Sequence, residues 1–190
     1  MSIKKRCDWA KSKLDIEYHD REWGVPLHND NKLFELLTLE SAQAGLNWSL
    51  ILQRREAYRQ AYQGFDPAKI AHYQDVNIEE LLANTGLIRH RLKITASIKN
   101  AGAFLNIQHE FGSFSTYLWQ LVNQHSIINH WQRLEQVPSQ TDLSIRLSKD
   151  LKKRGFNFVG PTICYSLMQA AGLVNDHLTS CFRYHQINYP

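Results

Sequence analysis

No stretch of this 190-residue chain is apolar for the roughly 20 residues that a membrane-spanning helix needs. The basic opening, MSIKKRCDWAKSKLD, has no apolar centre and does not read as a secretory leader. Cysteine is scarce: three residues, an odd number, widely separated. That argues against a disulfide framework and for a reducing, cytoplasmic setting. Strand-like alternation is nearly missing, and there is no internal repeat or low-complexity tract. Neither sign of charge dominates. The excess of +4, with a pI near 9.0, favours anionic partners without identifying one.

What is present is helical periodicity with start and stop residues. DNKLFELLTLE puts Leu33, Phe34, Leu36 and Leu37 on one face after Asp30 as cap. LNWSLILQRREAYRQAYQGF continues to Gly64, and Asp66 followed by Pro67 opens a short helix. NIEELLANTG has Asn77 as cap, Glu80 three later and Gly86 as stop. RLKITASIKNAGAFLNIQHEFG, SFSTYLWQLVN, TDLSIRLSKDLKKRG and PTICYSLMQAAG follow, with a polar loop over 124–140. The expected fold is all-α, about eight helices in one unit of 1–190, as two helical lobes with a pocket between them.

Three constellations carry chemistry. Cys7 lies twelve residues before His19, and His177 lies four before Cys181. Together they form a Cys2His2 set of the number and softness that zinc takes in closed structural sites. Such a site would tie together two chain ends that otherwise fray. With nine histidines in the chain, an exposed thiol and solvated imidazoles fit the same spacing. Cys164, inside an apolar helix, reads as core. The second constellation is KDLKKRGFNFVGPT, where a basic helix ends at Gly155 and Gly160 with Pro161 opens the next. A glycine-bounded hairpin of this kind lets backbone N–H groups approach a phosphate. Arg146, Lys149, Lys152, Lys153 and Arg154 add a positive field, although an ordinary helical corner with a solvated basic face has the same pattern. The third is YHDREWGVP with LESAQAGLNW, which sets Glu40 near Tyr18, Trp23 and Trp48. A carboxylate among aromatic rings suits a flat cationic or hydrogen-bonding ligand, although tryptophans are more often core.

Taken together, YHDREWGVP, LFELLTLESAQAGLNW, FDPAKIA, GLIRHRLKI, LKKRGFNFVGPTICYSLMQAAGLVNDH and the closing Cys181 resemble the 3-methyladenine DNA glycosylase I family over essentially the whole chain. That family belongs to the helix-hairpin-helix DNA glycosylases. The resemblance implies a structural zinc held by Cys7, His19, His177 and Cys181, distant from the base pocket. It implies Glu40 as the catalytic carboxylate that reads the extruded base, with Tyr18, Trp48, Trp9 and Trp23 around it. It places Gly155, Gly160, Thr162, Lys152 and Lys153 against DNA phosphates. The expected reaction is hydrolysis of the N-glycosidic bond of 3-methyladenine in alkylated double-stranded DNA by a monomeric enzyme, with free 3-methyladenine as product.

The chain departs from the family pattern in places. The gap from Cys7 to His19 is one residue shorter, Asp15 replaces a tyrosine and Ala42 a glutamine. Relatives with strand-cleaving activity carry a lysine two residues after the last hairpin glycine. Here Thr162 stands there, which implies a hydrolase without lyase activity. Those relatives also place a catalytic aspartate near the following loop, where the register here gives about Ser180; Asp176, four earlier, either substitutes for it or, the favoured role, orients His177. Two rival readings are a zinc-stabilised DNA-binding module, which has no use for Glu40 among tryptophans, and a zinc hydrolase, which needs an open coordination position.

Overall fold

A computed structural model describes residues 4–187. Among these the architecture is all-α. The helices are α1 (Lys13–Arg21), α2 (Asp30–Gln43), α3 (Trp48–Ala61), α4 (Pro67–Ile70), α5 (Asp75–Ala83), α6 (Arg91–Phe111), α7 (Phe114–Gln120), α8 (Asp142–Lys153), α9 (Pro161–Ala170) and α10 (Phe182–Gln186). Neither α1 nor α10 is announced by a long apolar period. Two short strands, β1 (Ile127–Ile128) and β2 (Val174–Asn175), pair in parallel, Ile127 with Val174. The sequence reads this region as polar loop, because two residues cannot display an alternating pattern.

The centre is α2. Its residues from Leu33 to Ala42 are buried without interruption, so it is covered all round rather than on one face. It packs on α3, α6, α7 and α9. Its cap is Asn29, whose side chain accepts from Lys32 N. Asp30, the expected cap, instead reaches across the bundle and accepts from Phe114 N at 2.8 Å and Ser115 N at 2.9 Å. It thereby serves two free amides at the start of α7. Asn77 is likewise displaced as cap. Helix α5 starts earlier, at Asp75, and the Asn77 side chain accepts from Gln74 N at 2.9 Å. The predicted cap at Asp66 stands, and α7 is capped by Ser113.

Two acidic residues are buried in α2, and their surroundings differ. Glu35 takes Arg55 at 2.6 Å and Arg59 at 3.0 Å. Glu40, one and a half turns on, has no such partner among the described residues. Helices α8 and α9 pack against each other across the hairpin 154–160. The two chain ends meet: Phe182 N donates to Lys5 O at 2.9 Å. The segment after α1 presses on the turn after α9. A Cβ on Gly172 would lie 2.6 Å from Pro26 N and 2.8 Å from Gly24 O, so only glycine permits this approach.

Candidate active site and metal centre

Residues from five parts of the chain converge on one cavity of about 430 Å³. Trp9 comes from the N-terminal segment, Tyr18 from α1, Trp23 from the turn after it, Glu40 and Gln43 from the last turns of α2, and Trp48 from the first turn of α3. All five residues expected around a base are therefore brought together. Tyr18 and Trp48 lie with ring centroids 5.2 Å apart, Trp9 and Trp23 5.1 Å apart. Tyr18 Oη and Trp48 Nε1 are both buried and have no hydrogen-bond partner among the described residues. An orphaned donor costs about 1–3 kcal/mol, and two on one cavity wall point to a ligand that completes them.

Burial pushes the Glu40 carboxyl from its ordinary 4.5 up to about 8. Nothing offsets that desolvation, because no hydrogen bond or cation reaches it. The same burial, followed by the charge of Glu40, raises the Tyr18 hydroxyl well above its usual range. Burial by itself thus favours a neutral Glu40 at neutral pH, and a cation placed beside it favours the carboxylate.

The opposite wall, Asp176 apart, was not legible in advance. Ser166 and Gln169 of α9, Asp176, Leu178, Leu134, Val137 and Pro138 line it. Ser166 and Gln169, three apart in an otherwise apolar helix, were the available signal. Asp176 does not orient His177, contrary to expectation. Its carboxylate accepts from Asn129 Nδ2 (2.7 Å), Trp131 Nε1 (2.8 Å), Tyr165 Oη (2.6 Å) and Gln169 Nε2 (2.7 Å). The two substituted positions also have visible contacts. Asp15 caps α1 and accepts from Ser49 Oγ at 2.7 Å, tying α1 to α3. Ala42 is buried, and its carbonyl accepts from Lys93 Nζ, which also holds Ala44 O.

Cys7, His19, His177 and Cys181 are all buried, and their ligand atoms lie within 4.8 Å of one another. Cys181 Sγ is 3.4 Å from His19 Nε2 and 3.6 Å from His177 Nδ1, and Cys7 Sγ is 3.7 Å from His177 Nδ1. The S–N edge of a tetrahedron about a small dication is about 3.6 Å. The other imidazole nitrogens are engaged, His19 Nδ1 by Asp20 at 2.8 Å and His177 Nε2 by the Trp23 carbonyl at 3.1 Å. This orients both rings with the ligating nitrogens inward. The neighbourhood of the two sulfurs, with burial, holds the Cys7 thiol above the ordinary thiol range and the Cys181 thiol below it. A metal dication would bind both as thiolates and displace their protons. The four residues fit a metal ion.

The cluster is not distant from the cavity. Cys7 lines it, Trp9 packs edge-on to His19 at 5.3 Å, and Trp23 packs edge-on to His177 at 4.6 Å. Trp9 and Trp23 are one layer shared by both sites.

The hairpin turns its carbonyls inward. Ser148 Oγ donates to Val159 O, Ser41 Oγ to Phe158 O, and Asn100 pairs with both backbone groups of Asn157. Helix α9 begins at Gly160 without a side-chain cap, leaving its first amides free, and Thr162 beside them is exposed. Gly155, at φ 95°, and Gly160 both open onto space. Lys149, Lys152 and Lys153 are exposed, but Arg154 is not part of a free field. It pairs with Glu110 at 2.6 Å and Asp150 at 2.7 Å and lies over Phe111 and Tyr117.

Comparison with known proteins agrees with this geometry. The chain is 48% identical to a DNA-3-methyladenine glycosylase of Haemophilus influenzae, over 93% of this chain and 96% of the relative. It superposes with a TM-score of 0.91 on a crystal structure of 3-methyladenine DNA glycosylase I, at 51% identity over 94% of this chain and 98% of the other. A tyrosine-to-phenylalanine variant of 3-methyladenine DNA glycosylase I, solved in complex with 3-methyladenine, gives 0.88 at 38% identity, covering 90% of this chain and 92% of that one. The methyladenine glycosylase profile matches residues 9–184, and with relatives this similar over this much of its length, the chain belongs to the methyladenine glycosylase family.

Proposed function

We propose that this protein excises 3-methyladenine from alkylated double-stranded DNA by hydrolysis, leaving an abasic site and an uncut strand. The observation that carries the reading is the cavity itself: a bare, buried Glu40 and two orphaned polar atoms, Tyr18 Oη and Trp48 Nε1, among four aromatic rings. The relatives' names and the bound 3-methyladenine of a solved neighbour support the same ligand.

Methylation at N3 makes the adenine ring cationic and weakens its bond to the sugar. When that bond breaks, its electron pair goes to the purine nitrogen and the base leaves neutral. The positive charge passes to the sugar carbon, where water adds and loses a proton. The base is already a good leaving group, so the enzyme's task is selection. Turning the nucleotide out of the stack costs a few kcal/mol. Aromatic faces offset about 0.5–2 kcal/mol of that per good contact with a cation, and an ionised Glu40 contributes further. Glu40 is thus the recognition carboxylate and the group best placed to stabilise the developing sugar cation.

Zinc is the metal proposed for Cys7, His19, His177 and Cys181. When bound it would supply a closed structural tether, with no coordination position left for a reactive water. The helix-hairpin-helix assignment rests on α8, the hairpin and α9, whose free amides and lysines suit DNA phosphates. With Thr162 where lyase relatives have lysine, no amine is positioned for a Schiff base there. Chromatography of the base released from methylated duplex DNA tests the function, and sizing of the DNA strand tests the lack of cleavage. Release of no base, or strand scission, would overturn the respective claim.

Replacing both Lys152 and Lys153 by alanine should weaken binding to every duplex alike. It should also reduce the slope of log affinity against log salt by about 2, since each phosphate contact contributes roughly 0.9. An unchanged slope would move the DNA surface away from the hairpin.

A further inference from the structure

Helix α2 ends without a cation of its own. No basic residue stands in its last turn, although the carbonyls there carry partial negative charge and lack partners inside the helix. The cation comes from another helix. Lys93, in the first turn of α6, donates through Nζ to Ala42 O at 2.8 Å and to Ala44 O at 2.7 Å. The Gln43 carbonyl between them accepts from Leu46 N at 2.6 Å. Lys93 makes no ion pair among the described residues, and partial burial lowers its pKa from the ordinary lysine value. A lysine usually keeps its ammonium in water or on a carboxylate. Here it rests on two backbone carbonyls.

The residues around those carbonyls face three neighbours in turn. Glu40, Gln43 and Trp48 line the cavity, Ser41 Oγ donates to Phe158 O of the hairpin, and Ala42 and Ala44 turn their carbonyls to Lys93. The chain then reverses at Gly45, at φ 78°, which opens onto space, and Asn47 caps α3 by accepting from Ser49 N at 2.8 Å. Residues 44–47 are thus all that separates the Glu40–Gln43 wall from the Trp48 wall. We propose that Lys93 is a positioning residue for base excision, whose ammonium fixes the end of α2 and so sets the separation of the walls that carry Glu40 and Trp48. This rests on the glycosylase reading and adds to it a residue outside the cavity lining. Without the ammonium two carbonyls lose their donor, and the last turn of α2 is free to shift against α3. The hairpin keeps its place, because Ser148 and Asn100 hold it as well.

Lys93→Met keeps the length of the stem and removes the donor. Three quantities are read well below the melting temperature: affinity for undamaged duplex, affinity for free 3-methyladenine by quenching of tryptophan fluorescence, and the single-turnover rate of base release from methylated duplex. Duplex affinity should stay at the wild-type level. Base affinity and excision should each fall about tenfold or more, since misplacement by about 1 Å costs on the order of 10²-fold. Lys93→Arg, which brings a cation and N–H donors to the same carbonyls, should recover most of both. A merely structural lysine would lower the melting temperature of Lys93→Met and leave its folded molecules fully active. If Lys93→Met does not fold, Lys93→Gln, with an amide donor and no charge, carries the same comparison. The proposal is overturned by wild-type base affinity and excision in the folded variant, by an equal loss of duplex affinity, by an arginine variant no better than the uncharged one, or by failure of both uncharged variants to fold. Wild-type protein that neither binds 3-methyladenine nor releases it from DNA would instead count against the glycosylase reading.

Discussion

Glu40→Gln should lose excision by about 10²-fold or more while the protein becomes more stable at neutral pH. The loss follows from charge: glutamine keeps the shape and one acceptor but cannot become an anion beside a cationic base in a desolvated pocket. The gain follows from the raised carboxyl. The folded protein holds Glu40 near 8, whereas the unfolded chain titrates near its ordinary 4.5. Below pH 4.5 both states are protonated, so wild type and variant should melt alike. As pH rises from about 4.5 to 8, the unfolded state ionises freely and the folded state does not, so the wild type progressively loses stability that the variant keeps. The difference amounts to a few kcal/mol at most, or several degrees in melting temperature near pH 8. Paired melting curves at pH 4 and pH 8 and single-turnover excision read both effects. Equal melting at both pH values would show that Glu40 is not desolvated in the way described. The split between binding and rate separates its two roles. If Glu40 only recognises the base, affinity for free 3-methyladenine and excision should fall in proportion. If it also stabilises the sugar cation, excision should fall further.

The second large effect is expected at the metal cluster. Cys181→Ala should reduce zinc from about one per chain to nearly none and lower the melting temperature by on the order of 10 °C or more, because ligation energy is folding energy. Since Cys7, Trp9 and Trp23 form a layer shared with the cavity, the variant should also bind 3-methyladenine more weakly. Metal analysis of freshly purified wild-type protein that finds no zinc would reject the assignment. A metal-free variant with intact base binding would show that the shared layer holds without the ion.

How far the sequence discloses this arrangement depends on the range of the interaction concerned. Helices with internal period and local caps were legible: Asp66 before Pro67 and Ser113 before Phe114 act within one turn. Asp30 was misplaced because its carboxylate serves α7, more than eighty residues away, and no local pattern encodes that. Glu40, Tyr18, Trp48, Trp9 and Trp23 were legible as a group through family resemblance, and the structure gathers them around one cavity. Ser166 and Gln169 were not, and Asp176 was singled out with the wrong partner, because their wall forms only when α9 meets the β1 loop. Arg154 read as a free cation until the fold brought Glu110 beside it.

The joining of the N- and C-terminal segments has a consequence for the order of folding. Cys7 meets His177 and Leu178 across 170 and 171 positions of sequence. Contacts of such separation close the longest loops and carry the largest closure entropy. Helices α2 to α9 can pack first through shorter-range contacts, but the cavity wall carrying Trp9 has nothing to close against until His177, Leu178 and Cys181 arrive. A partly folded chain would therefore keep most of the bundle and the hairpin yet lack one side of the cavity, so cavity and metal cluster should be the last parts to form and the first to open.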